Sequence, residues 1–246
     1  MTDPIISALC VTNRLACRGW LQWNVQRQTY PHLDVVIVDG SGKEGLHGPR
    51  DVVWKNDELG RGRRRVLRAP ASWTCGQLRN LAMEHAAGEY FTWIDDDDWQ
   101  HPERIEWLLE AIRAEGALWA GWGRGYLLKL PERRGAELRA HPPRVINGAA
   151  LYRTEECRRV AYDGQPSSSD ARWLRRLAAF HGTTGHVMLD DRLHSIWMRH
   201  ETNTSRGLRG TPYGLTLGQF KTKAGSAWGQ TEAWLWDLER ALELAV

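Results

Sequence analysis

The chain has 246 residues, 42% of them hydrophobic, and a formal net charge of +3, a size for one large domain or two small ones, with nothing resembling a low-complexity linker. No run of roughly 18 apolar residues is available to span a bilayer, and the N-terminal MTDPIISALCVTNR lacks the basic segment and long apolar run of a secretory leader. Cys10, Cys17, Cys75 and Cys157 show no CxxC spacing, which argues against a zinc site or a disulfide framework and for a reducing, cytoplasmic compartment. The 14 Trp against 3 Phe predict many flat, amphipathic contact surfaces.

In chain order, the apolar IISALCV (5–11) predicts a strand ending at Thr12-Asn13-Arg14, followed by a helix over RGWLQWNVQRQ. DVVIVDGSG (34–42) has four consecutive aliphatics, as in a central parallel strand buried on both faces, and ends at Asp39. The arginine-rich GRGRRRVLR (60–68) reads as a solvated basic loop, although clustered Arg also suits phosphate contacts. TCGQLRNLAMEHAAGEY predicts a helix with Leu78, Leu81, Ala82 and His85 on one face and Gly88 as C-cap. YFTWI follows as a strand. His101-Pro102 then opens a helix with Pro in its first turn and Ile105, Leu108, Leu109 and Ile112 on one face. Alternating strands and helices over the first 115 residues argue for an α/β fold with a largely parallel sheet. Ligands of such sheets bind beyond the carboxyl ends of the strands, so Thr12–Arg14, Asp39–Ser41 and Asp95–Asp98 converge on one candidate site.

Four consecutive aspartates, Asp95 to Asp98, require a neutralising cation, because adjacent carboxylates raise one another's pKa. If extended geometry persists through the run, Asp95 and Asp97 point to one side and Asp96 and Asp98 to the other. Hard oxygen donors of this kind suit Mg²⁺ or Mn²⁺, which take one or two carboxylates and complete their shells with water and phosphates. A calcium loop counted from Asp95 fails, because Trp99 and Gln100 stand where an oxygen ligand and a glycine are required. A solvated acidic tract is disfavoured by the strand before the run and the helix after it.

The order VTNR, DVVIVDGS, GQLRNLAMEHAAGEYFTWIDDDDW, RVINGAALYRTE and SSSDARWLRRLAAFHG, spanning about residues 5–205, resembles the family 2 glycosyltransferases of the GT-A fold. That resemblance implies a Rossmann-like three-layer sandwich with a mostly parallel central sheet and a C-terminal helical extension. It implies a GT-A domain over 1–205, with a donor-nucleotide half to about 115 and an acceptor half over 116–205, then a lid and amphipathic helix over 206–246. The activity implied is inverting transfer of a sugar from a nucleotide donor, taken as a UDP-sugar, to a hydroxyl acceptor with Mn²⁺ or Mg²⁺. By the same resemblance IDDDDW holds the DXD-type motif: Asp95 and Asp97 lie near the donor's ribose and diphosphate, with Asp97 the direct metal ligand, while Asp96 is either a further donor contact or, with Asp98, only holds the turn and caps the next helix. Thr12 and Arg14 line the nucleotide pocket, Asp39 contacts the base, and Arg79 contacts the diphosphate, with a salt bridge to a nearby carboxylate as the alternative for Arg79. Where many relatives carry two adjacent acids, this chain has Asp39-Gly40. Asp170 matches the family's catalytic base, which takes the acceptor's proton; from the residues alone, an Asp after three serines reads as a helix cap. His200, in RLHSIWMRHETNTS, is a further metal or diphosphate contact, with a loop histidine as the alternative.

Residues 202–226, rich in Thr, Gly and Ser, suit a flexible lid. Trp234, Leu238, Ala241 and Leu242 place a core or homodimer contact on the terminal helix rather than a membrane contact, since its other face is acidic. Two other classes stand beside the enzyme reading. A nucleotidyltransferase would carry a Gly-rich loop after the first strand, where VTNRLACRGW has only Gly19. A nucleic-acid-binding protein would use the Arg clusters at 61–68, 133–144 and 172–176; combined with the first reading, these make hydroxymethylated viral DNA one acceptor beside glycans, proteins and small molecules.

Overall fold

A computed structural model describes residues 3–14, 18–42, 64–129, 134–139, 147–165, 169–182, 185–189, 194–199, 215–216, 219–220 and 222. The first half contains β1 (Ile6–Thr12), α1 (Arg18–Arg27), β2 (Leu33–Asp39), β3 (Arg64–Arg68), α2 (Cys75–Glu84), β4 (Tyr90–Trp93), β5 (Trp99–Gln100) and α3 (Arg104–Glu115). There follow β6 (Trp119–Trp122), β7 (Arg124–Lys129), β8 (Arg134–Arg139), a 3₁₀ turn at Asn147–Ala149, β9 (Ala150–Arg153), α4 (Thr154–Cys157), α5 (Ser169–His181), β10 (His186–Leu189), β11 (Ser195–Arg199) and β12 (Leu215–Thr216).

The main sheet has the order β10-β6-β9-β4-β1-β2-β3, parallel throughout except for β9. Alternation along β1 divides the core. Leu9 faces a layer with Leu78, Ala82 and Met83 of α2 and Trp173, Leu174 and Leu177 of α5. Ile6 packs with Ile105, Leu108, Leu109 and Ile112 of α3, and Ala8 and Cys10 with Leu21 of α1. A sheet buried on both faces by helices is the three-layer arrangement expected from the sequence. β1 lies between β2 and β4, so the chain reverses its direction of travel across the sheet there, and the carboxyl ends of β1 and β4 flank a topological switch point.

A second sheet, ordered β12-β8-β7-β11-β5, joins the two halves of the chain. The aspartate run is the crossing between sheets: β4 belongs to the main one and β5, two residues long, pairs antiparallel with β11 in the other.

Several local expectations are corrected. Arg64–Arg68 is an edge strand rather than a loop, because Val66 packs inward while the strand pairs with β2; Arg residues on an edge deter pairing with other chains. α2 starts in a capping box between Thr74 and Gln77 and ends at His85, which is exposed. Gly88 is not its C-cap: a Cβ there would lie 2.6 Å from the Ile5 carbonyl oxygen and 2.7 Å from the Ser7 nitrogen, so Gly permits the close approach to β1. Pro102 precedes α3 by two residues, and Glu103 at its N-cap makes no side-chain cap. Within the expected lid, Leu215–Thr216 pairs with β8 and Phe220 is fully buried, edge-on to Tyr126 at 5.5 Å. Those residues are docked, because an apolar ring finds cover under the second sheet. Apart from these and residues 219 and 222, the rest of 206–246, including the expected terminal helix, lies outside the described residues.

Candidate active site

Strand geometry ends at Trp93, and Asp96 and Asp97 form a turn. The expected alternation of the four carboxylates therefore fails: Asp96 and Asp97 are gripped together from one direction, and Asp95 turns to another partner. Thr12 Oγ1, at the end of β1, donates to Asp96 Oδ2 and accepts from the Arg14 backbone N–H at 3.1 Å. The Arg14 guanidinium pairs through Nη2 with Asp96 Oδ1, and its Nε and Nη1 donate to Asp96 Oδ2 at 3.3 Å and to Asp97 Oδ2 at 2.8 Å. The cation demanded by the acidic run is thus supplied in part from within the chain.

Arg79 of α2 serves the other side. Its Nη2 lies 3.5 Å from Asp95 Oδ1, and its Nη1 is ion-paired with Asp170 in the first turn of α5. The guanidinium lies over Trp93 and Tyr162, 5.0 and 5.5 Å from their centroids, with Tyr162 stacked on Trp173 at 4.7 Å. Asn80, next to Arg79, fixes that wall through two bonds to the Tyr162 backbone, at 3.0 and 2.7 Å. Asp170 remains 43% exposed.

Burial is the largest influence on the turn's acids. It raises Asp95, with Asp97 adding to it while Arg79 and Arg14 oppose it. It pushes Asp96 up to about 6, with Asp97 adding and Arg14 and the Thr12 hydroxyl opposing. For Arg14, burial works against the charge, but Asp97 and Asp96 outweigh it and hold the guanidinium above its ordinary range. Burial therefore outweighs the arginines at Asp95 and Asp96, and the carboxylates of the turn add to one another's upward shift.

Asp39 is buried opposite Thr12 in the β1–β2 register, its Oδ1 accepting from Ser41 N–H at 2.9 Å. A side chain at Gly40 would meet Leu78 Cδ1 at 2.7 Å, so this part of the pocket presents one carboxylate. His200 follows β11 outside the described residues.

Sequence reasoning missed a second set of residues. Asp98 neither caps α3 nor stands idle: its Oδ1 accepts from Met198 N–H of β11 at 3.0 Å. Its carbonyl accepts from Trp20 Nε1 at 2.7 Å and Asn24 Nδ2 at 2.8 Å. Asn24 Oδ1 also accepts from Gln100 N–H at 3.1 Å, and Gln28 Nε2 donates to the His101 carbonyl at 3.2 Å. Trp20 and Asn24 on the inward face of α1, and Gln28 just past its end, recur at i, i+4, i+8; polar residues at that spacing beside an apolar face were the available signal. Arg104 was also missed. Fully buried, it donates to Thr92 Oγ1 at 2.9 Å and to the carbonyls of Trp93 at 2.8 Å and Gly148 at 3.3 Å. Burial pulls it down to about 9, Asp95 opposing, so it stays charged at neutral pH beneath the turn. Gly148 leaves room for Asp95, whose Oδ2 would lie 2.9 Å from a Cβ there.

Asp97 suits Mg²⁺ or Mn²⁺ as a hard oxygen donor on a turn, with Asp95 close enough to interact electrostatically. Among the described residues no group of three or more His, Cys, Asp or Glu could hold a metal. An ion at the turn would have one or two of these carboxylates as its ligands from the described residues. Also among those residues, no helix is long and apolar enough to cross a membrane.

A mostly parallel sheet with an acidic turn at its switch point defines a GT-A-type glycosyltransferase fold. It superposes on S. aureus TarS residues 1–349 with a TM-score of 0.59 at 15% identity, covering 79% of this chain and 60% of that one. The mannosyltransferase PcManGT from Pyrobaculum calidifontis, solved with GDP-Man and Mn²⁺, gives 0.59 at 13% identity over 86% of this chain and 59% of that one. The profile of glycosyl transferase family 2 matches residues 22–183, well over half of the chain, and the chain belongs to that family. Glycosyltransferase GlyG of Streptococcus pneumoniae is 27% identical over 94 residues, covering 38% of this chain and 30% of GlyG. An uncharacterised glycosyltransferase of Rickettsia conorii is 25% identical over 85 residues, 35% of this chain and 13% of that protein. The chain thus spans no more than 30% of the length of these two relatives.

Proposed function

We propose that the chain transfers a sugar from a UDP-sugar to a hydroxyl acceptor with inversion, and that it requires Mn²⁺ or Mg²⁺. One observation carries this reading: the Arg79 guanidinium brings Asp170 of the acceptor half and Asp95 of the acidic turn to the same point. A donor lying along the ends of β1, β2 and β4 would meet Asp39 at its base and the acidic turn at its diphosphate. Asp97 would hold the metal, which when bound supplies charge stabilisation to the departing diphosphate. Asp170 takes the proton from the acceptor hydroxyl as its oxygen bonds to the anomeric carbon and the bond to the diphosphate breaks. Arg79 holds Asp170 in place through their ion pair. Neighbours solved with UDP, with UDP-GlcNAc and with GDP-Man and Mn²⁺ support the donor class.

For the acceptor, Arg172 of α5 is taken up by both oxygens of Asp163, whereas Arg175 and Arg176 are exposed and donate to the carbonyls of Ala171 and Ala161. The test is release of UDP from a panel of UDP-sugars with Mn²⁺. Turnover is expected to disappear with EDTA or in Asp97→Ala, while Asp170→Asn loses transfer yet still binds donor. Undiminished turnover in Asp97→Ala or in EDTA would overturn the reading.

A further inference from the structure

The same carboxylate assigned to the metal is already engaged by a cation of the chain. Arg14 Nη1 donates to Asp97 Oδ2 at 2.8 Å while the rest of its guanidinium is clamped on Asp96. Arg14 lies two residues past the end of β1, outside regular structure, and its side chain is 16% exposed. A divalent ion on Asp97 and a guanidinium on the same carboxylate repel at a few ångströms, where like charges interact appreciably even at a partly exposed site. A diphosphate offers Arg the planar, bidentate oxygen pair that Asp96 and Asp97 now provide, with more charge.

We propose that Arg14 is the resident counter-ion of the acidic turn, displaced from Asp97 by the metal and received by the donor's diphosphate. The inference rests on the metal-dependent reading above. It adds that metal and nucleotide bind with positive coupling, and that Arg14 is the source of the coupling. Metal binding without nucleotide is held weak because Arg14 competes for the site. With nucleotide present, the competitor becomes a ligand contact. By linkage, metal must tighten the nucleotide by the same factor.

The experiment measures Mn²⁺ affinity by the EPR signal of free Mn²⁺, with and without UDP, for the wild type, Arg14→Gln and Arg14→Lys, using Asp97→Ala as the blank for Mn²⁺ held by UDP alone. Without UDP, Arg14→Gln is expected to bind Mn²⁺ about tenfold more tightly, the scale of one like charge removed beside a partly exposed site. UDP should tighten Mn²⁺ by a larger factor in the wild type than in Arg14→Gln. Arg14→Lys, which keeps the charge but not the fork, should fall between them; it serves as the test if thermal melting shows Arg14→Gln unfolded. Equal or weaker Mn²⁺ binding by the folded variant, or equal coupling to UDP, overturns the role of Arg14 alone. A wild type that binds no Mn²⁺ above the blank even with UDP overturns the metal-dependent reading, and this inference with it.

Discussion

Arg79 and Arg14 both neutralise the acidic turn, yet they are held in different ways. Arg79 projects from a helix whose start is fixed by a capping box, lies over two aromatic faces, and is 6% exposed. Arg14 follows a strand end and grips two carboxylates with 16% of its side chain exposed. The first is part of the core, joining the acidic turn to α5. The second is a charge at the mouth of the site, able to exchange one oxygen pair for another. On the proposed reading, in which the site takes a diphosphate and a metal, the first holds the site together and the second changes partners.

The largest expected effect comes from the fixed side. Arg79→Met leaves Asp95 without its buried partner and removes the cation over the rings, costing roughly 3 kcal/mol. For a chain of this size that lowers Tm by about 6–12 °C, read by thermal denaturation. Arg14→Gln should cost less than half as much, because Asp96, pushed up to about 6, can take a proton when its partner is lost. Equal losses would break the distinction between the two arginines.

The pH dependence sharpens it further. The folded value of Asp96, about 6, lies above the roughly 3.9 of an unfolded aspartate. Its contribution to stability is therefore fully present below about pH 4 and lost as pH rises through 6, amounting to about 2–3 kcal/mol in all. In metal-free buffer, the Tm of wild type minus that of Asp96→Asn should fall between pH 4 and pH 7. A flat difference would show that Asp96 titrates normally and that Arg14 fully offsets its burial.

The smallest effect is expected at Gly148. A methyl group there would meet Asp95 Oδ2 at 2.9 Å, so Gly148→Ala should displace the carboxylate from Arg79 and raise the donor KM about threefold to tenfold, a loss on the scale of one neutral hydrogen bond. Tm should move by less than half the Arg79→Met shift, and a larger loss would mean that Asp95 is as structural as Arg79.

The helix faces built on Leu78 and Ala82 and on Ile105, Leu108, Leu109 and Ile112 were legible in the sequence, because periodicity is a local property and these residues all reach the core. So was the meeting of Thr12, Asp39 and the aspartates at strand ends, which follows from chain direction in a parallel sheet. β3 was not legible, since arginine-rich composition resembles a solvated loop until Val66 is seen to pack inward. Nor was the work of Asp98, whose partners Trp20, Asn24 and Met198 lie 74 to 100 residues away in the chain.

By itself the sequence determined the alternation of strands and helices, the family, and that four adjacent acids need a cation. Only the tertiary structure decided which cations those are and how the acids divide between them. Arg14 lies 82 residues from Asp96, and its pairing depends on β1 and β4 being neighbours and on the chain leaving strand geometry at Trp93. Local pattern encodes which residues turn inward; which charges meet there is set by the register and crossing of segments far apart in the chain.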